Sequence, residues 1–162
     1  MSLFDRRTFL MFPLALAACG FTPVYAPGGV GAALRNRVLV DPPTDRDTFL
    51  LVQDLEQRLG RGTAAQYGLA VILALEIEGL AVTAAGDITR YNMVGKADYA
   101  LRDLRDGAII SSGQVDNFTG YSSTGSTVET LAAERDARAR LMTILADQIT
   151  ARLYALTDLP PS

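Results

Sequence analysis

The residues with the most defined chemistry are Leu16-Ala17-Ala18-Cys19, where the chain's only cysteine ends a short apolar run that follows Arg6 and Arg7. A lone cysteine is most often a small buried hydrophobe. Small residues ahead of it, behind a basic and then an apolar stretch, mark a cleavage and acylation site instead. Cutting before Cys19 makes that residue the first of the mature chain, acylated (palmitate included) and held to a membrane by lipid. On this reading Cys19 is an attachment point and neither a nucleophile nor a metal ligand. The chain has no histidine, which excludes Ser-His-Asp and Cys-His catalysis and the common zinc sites. Glu76, Glu78, Asp98, Asp103 and Asp106 offer carboxylates that could pair for acid-base work. The plainer reading has strand carboxylates forming cross-strand ion pairs with Lys96 and Arg102. No catalytic residue, metal or cofactor is assigned.

Residues 1–18 therefore read as a lipoprotein signal peptide. Arg6 and Arg7 give the basic region, and Thr8 to Ala18 an apolar stretch of about ten residues, short of the roughly 20 that span a bilayer. Arg6-Arg7-Thr8-Phe9-Leu10 resembles a twin-arginine export signature, and an ordinary basic leader reads equally well. Gly20, where an aspartate would favour inner-membrane retention in many Gram-negative bacteria, permits sorting to the outer membrane. Residues 19–162 are one domain's worth of chain. The formal net charge of −3 argues against non-specific nucleic-acid binding, which needs clustered Lys and Arg.

The elements behind the leader are well punctuated. Residues 19–37, rich in Gly and Pro at the start, read as an acylated tether with little regular structure, Phe21, Val24 and Tyr25 being its apolar exceptions. A single domain is expected over 38–158. Val38-Leu39-Val40 is a short strand stopped by Asp41-Pro42-Pro43. Thr44, Asp45 and Asp47 offer N-caps for a helix whose apolar face takes Phe49, Leu51, Val52, Leu55 and Leu59, ended by Gly60 and Gly62. Residues 67–83 alternate as a long strand, with Leu69, Val71, Leu73, Leu75 and Ile77 on a buried face and a partly covered second face. Ala84 to Asp87 reads as a turn. Residues 88–104 form the next strand, Asp106-Gly107 a hairpin turn, and Ala108 to Tyr121 the returning strand, with Gly113 a candidate bulge. Ser126 and Glu129 form a capping box for a final helix carrying Leu131, Leu141, Leu145, Ile149, Leu153 and Leu156, with a Glu134–Arg138 pair on its polar side. The order β-α-β-β-β-α predicts an α+β two-layer sandwich, a four-stranded mixed sheet covered on one face by two helices, with a right-handed crossover joining the first two strands in parallel.

Cys19-Gly20-Phe21-Thr22-Pro23-Val24-Tyr25, Asn117-Phe118, Ala133 to Ala137 and Leu145 to Ile149, in this element order, resemble the LPS-assembly lipoprotein LptE family in its alphaproteobacterial form. The resemblance implies an outer-membrane lipoprotein at the periplasmic face that plugs the LptD β-barrel in a one-to-one complex, assists barrel assembly, binds lipopolysaccharide (LPS) and catalyses nothing. It makes Arg90 an LPS-contact candidate, with Lys96 a second by pattern. A guanidinium suits bidentate phosphate binding, and the ordinary alternative is a solvated loop arginine. The family's second basic position, before the last helix, has no counterpart, since Tyr121 to Thr130 contains no Lys or Arg. The alternative role is an auxiliary lipoprotein of another envelope lipid ABC transporter.

Overall fold

A computed structural model describes residues 29–82, 88–123, 125–156 and 159. Its elements are α1 (Val30–Leu34), β1 (Val38–Val40), α2 (Arg46–Leu59), β2 (Tyr67–Val82), β3 (Ile88–Asp103), β4 (Ile109–Ser122) and α3 (Thr127–Tyr154). The sheet has the order β1-β2-β3-β4, with β1 parallel to β2 and the other pairs antiparallel. The expected α+β two-layer sandwich with a mixed sheet is the fold observed.

Each long helix begins where its capping chemistry places it. Asp45 Oδ1 accepts from the backbone N–H groups of Asp47 and Thr48 at 2.9 and 2.8 Å, and Thr48 Oγ1 accepts from the Asp45 N–H at 3.0 Å. This reciprocal pair satisfies donors that a helix start leaves open. Ser126 and Glu129 do the same for α3, a helix about 42 Å long. The β3–β4 turn places Gly107 at φ 76°, a region glycine enters without steric cost, and the Ala108 N–H donates to Asp106 Oδ1 at 2.9 Å.

One side of the sheet meets the helices. Strand parity puts Leu69, Met93, Ala97, Leu101 and Val115 there, packed against Leu51, Leu55 and Leu59 of α2 and Leu141, Leu145, Ile149 and Leu153 of α3. Each fully buried Leu or Ile contributes about 1.5–3 kcal/mol by leaving water. A Cβ on Gly95 would lie 3.0 and 3.1 Å from side-chain atoms of Leu145 and Leu141, so the absent side chain lets α3 sit close on β3.

Several expectations need correction. Part of the stretch read as tether is folded: α1 lies within it, and Leu34 is fully buried in the core, so the packed unit begins ahead of Val38. Phe49 is 55% exposed, because at 100° per residue it sits a quarter turn from the Thr48-Leu51-Leu55-Leu59 line that faces the core. Leu131 is likewise exposed, as the first turns of α3 carry few core residues. Gly113 is no bulge. It pairs regularly with Tyr99, and the register shift lies by Leu101 and Arg102. A Cβ at Gly113 would stand 2.9 Å from the Tyr99 hydroxyl, so the glycine makes room for that ring. Asn117-Phe118 does not close its strand, which continues to Ser122. Among the described residues nothing covers the second face of β2, where Ile72 is 72% exposed. The expected turn at 84–87 lies outside the described residues.

Candidate functional site

The helix-free face of the sheet carries the residues singled out for ligand contact. Direct cross-strand pairing sets its rows: Ile72-Asp98-Gln114, Ala74-Lys96-Asp116, Glu76-Val94-Phe118, Glu78-Asn92-Gly120 and Arg90-Ser122. Residues directly opposite in an antiparallel pair share a face, so the face mixes apolar and charged groups, with a charged side chain in every row. Phe118 is 61% exposed. Phe118 and the half-buried Val94 form an apolar pair flanked by Glu76.

Arg90 and Lys96 are both exposed and both on this face. They stand six residues apart on β3, about 20 Å along the strand, so the fold does not bring them into one anion site. Neither forms an ion pair among the described residues, although Lys96 lies directly opposite Asp116. The expected cross-strand pairing of Arg102 with Glu76 or Glu78 is absent among the described residues. Arg102 instead binds Asp41 bidentately, at 3.0 and 2.6 Å. That hydrogen bonding raises the guanidinium's pKa further, against a smaller opposing effect of burial. The clamp crosses Gly68, where a Cβ would lie 2.9 Å from the Arg102 Cζ, and ties the end of β1 to β3 over the strand between them.

Behind Arg90 the helix side is firmly built. Tyr91 and Tyr121 are directly paired and their rings stack at 5.2 Å with planes 13° apart. Burial, then the charge of Glu134, pushes the Tyr121 hydroxyl pKa up. Next to them Arg138 donates to Asp47 Oδ2 and to Glu134 Oε1, both at 2.6 Å. Burial opposes the charge on Arg138, and its bonds to Glu134 and Asp47 outweigh that effect and raise its pKa. The Glu134–Arg138 pair is the one expected from spacing. Asp47 makes the pair a fork joining α3 to α2, a contact across 91 residues that local spacing does not show. Thr119 Oγ1 donates to the Ala137 carbonyl at 2.9 Å, fastening β4 under α3.

The five carboxylates considered for catalysis do not converge. Asp98 accepts from Gln114 Nε2 at 2.9 Å. Asp103 is held by Arg105, whose guanidinium and backbone N–H keep its carboxyl below the usual range. Glu76 and Glu78 stand on the helix-free face, opposite Val94 and Asn92. An open depression among Arg35, Gln57, Arg58, Asp147 and Tyr154 is floored by contacts already in use, with Arg58 Nε donating to Asp147 Oδ1 at 2.6 Å. Among the described residues no cluster of acidic side chains could hold a metal, and no helix is long and apolar enough to cross a membrane. Cys19 and the Phe21–Tyr25 stretch lie outside the described residues.

A mixed four-stranded sheet with its long helices on one face, and the other face bare among the described residues, defines the class: a two-layer α+β domain organised around an open sheet surface. Residues 35–153 match the LptE family model, described as lipopolysaccharide-assembly, and the chain belongs to that family. No curated protein matches it. Among solved structures it is similar to a candidate lipoprotein from Caulobacter crescentus, at 24% identity over 78% of this chain and 94% of that one, with a TM-score of 0.63. A minor lipoprotein from Acinetobacter baumannii is similar at 20% identity, covering 74% and 93% of the two chains, with a TM-score of 0.58. Rare lipoprotein B from Shewanella oneidensis is similar at 13%, covering 72% and 91%, with a TM-score of 0.55. At these identities the likeness establishes the fold alone.

Proposed function

We propose that this protein is an outer-membrane lipoprotein subunit of the LPS transport and assembly machinery, anchored through acylated Cys19, partnered one-to-one with an LptD-like β-barrel, and without a chemical step of its own. The observation that carries the proposal is the family match over residues 35–153. The open sheet face supports it, since it offers exposed Ile72 and Phe118 beside charged groups, a composition suited to seating against another protein. Arg90 is the stronger candidate for contact with LPS phosphates, because it is exposed and forms no ion pair among the described residues. Lys96 faces Asp116, which lowers its value to an anion. Depletion tests the proposal: the barrel should accumulate in a misassembled form and surface LPS should fall. Normal barrel maturation with unchanged surface LPS would overturn it.

A further inference from the structure

β2 carries a backbone edge that the rest of the described chain leaves open. β1 pairs with it only from Tyr67 to Leu69, and the Asp41 N–H makes the last bond, to the Leu69 carbonyl at 2.9 Å. Pro42 follows and has no N–H to continue the ladder. Because Leu69 turns its carbonyl toward β1, strand alternation aims the N–H and C=O groups of Val71, Leu73, Leu75 and Ile77 along the same edge. No backbone or side-chain group of the described residues bonds to them there. The register shifts only beyond Gly79, so the open row is straight and regular.

Of the devices that normally blunt an edge, proline, bulges and basic residues are missing from this one, and only Glu76 and Glu78 bring charge to it. Val71 to Glu78 contains no Pro, Gly, Lys or Arg. The opposite edge, β4, is blunted. Gly113 and Gly120 weaken it, Asn117 Oδ1 takes the Phe118 N–H at 2.8 Å, and Arg140 reaches the Gly120 carbonyl at 3.3 Å. On the helix side of the β2 edge, Leu73 and Leu75 are half-buried and Ile77 is 46% exposed, an apolar shelf beyond the reach of α2. On the helix-free side, Glu76 and Glu78 are exposed and have no cationic partner among the described residues.

We propose that the β2 edge from Val71 to Glu78 is a strand-addition site for an extended segment of another protein that alternates apolar residues with Lys or Arg. The backbone row supplies the hydrogen bonds, the shelf takes the apolar side chains, and Glu76 and Glu78 face the basic ones. This assignment is independent of the role in LPS assembly. The probe is a capped synthetic peptide, Thr-Val-Lys-Val-Lys-Val-Thr, titrated into isotope-labelled full-length protein in zwitterionic detergent micelles. The amides of Val71, Leu73, Leu75 and Ile77 should shift and gain protection from exchange, while those of β4 stay in place. N-methylating the peptide's valines and lysines should weaken binding by about ten-fold or more, since backbone bonds are lost whichever way the strand runs. Replacing its lysines with glutamates should weaken binding to the unaltered protein, and the doubly substituted Glu76→Lys, Glu78→Lys protein should prefer that glutamate peptide. Both substituted positions are exposed, so folding is unaffected. No shift at about 1 mM peptide, shifts confined to β4, or equal binding of the N-methylated peptide would overturn the assignment. So would concentration-dependent shifts at the β2 edge without peptide, which would give the edge to a second copy of the chain.

Discussion

Replacing Arg138 with methionine probes the joint between the two long helices. The guanidinium is about one-quarter exposed and bridges Asp47, at 18% side-chain exposure, and Glu134, at 28%. Asp47 depends on it heavily, because its second oxygen, Oδ1, is buried without a hydrogen bond. Methionine fills similar volume but leaves two poorly solvated carboxylates side by side. Breaking a fully buried pair by removing one partner costs about 3–5 kcal/mol, and an exposed pair contributes about 0–1 kcal/mol. The partial exposure places this site between those limits, at about 2 kcal/mol. For a domain of this size that lowers Tm by about 6 °C, measured by circular dichroism on heating. Adding Asp47→Asn and Glu134→Gln to the variant removes the stranded charges and should return about half the loss. A Tm drop under about 2 °C, or a triple variant no better than the single one, would refute the reasoning.

Gly68→Val should push Arg102 off Asp41, because the new Cβ would stand 2.9 Å from the Arg102 Cζ. The expected loss is about 1–3 kcal/mol, read by denaturant titration, with faster hydrogen exchange at the β1 amides. Asp45, Asp103 and Glu129 all have lowered carboxyl pKa values, through backbone and side-chain hydrogen bonds from Thr48, Arg105 and Ser126 respectively. A depressed folded-state pKa stabilises above the unfolded value and is lost as pH falls through the folded one. A series of melts should therefore show stability falling below about pH 4, and no histidine-linked step between about pH 6 and 8. Arg90→Glu should leave folding stability within about 0.5 kcal/mol of the parent, as an exposed side chain without an ion pair, while reducing photo-crosslinking of LPS to this end of β3. Unchanged crosslinking would return Arg90 to an ordinary solvated role.

What the sequence made legible were features written in local spacing. The capping boxes at Asp45 and Ser126, the positive-φ Gly107 turn and the period-two runs of β2 and β3 are short-range signals, and the fold follows from their order. The Glu134–Arg138 pair was readable for the same reason. Phe49 was misplaced because an apolar residue a quarter turn from the core line still satisfies a three- and four-residue count. The Asp41–Arg102 clamp and the Asp47 arm of the fork join residues 61 and 91 apart, so they depend on the parallel register of β1 and on the packing of α2 against α3. Gly68 inside a strand was the available hint of a close crossing. The open edge of β2 was hidden too. Its alternation marks a strand but does not tell which neighbour stops three residues in, although Asp41-Pro42-Pro43 marks the stop itself.

Recovery of tagged full-length protein from detergent-solubilised outer membrane tests the assembly role most directly. An LptD-like β-barrel, heat-modifiable and in one-to-one ratio with the tagged chain, is the predicted companion. Recovery of the protein alone, or with an inner-membrane ATP-binding transporter and no barrel, would contradict it.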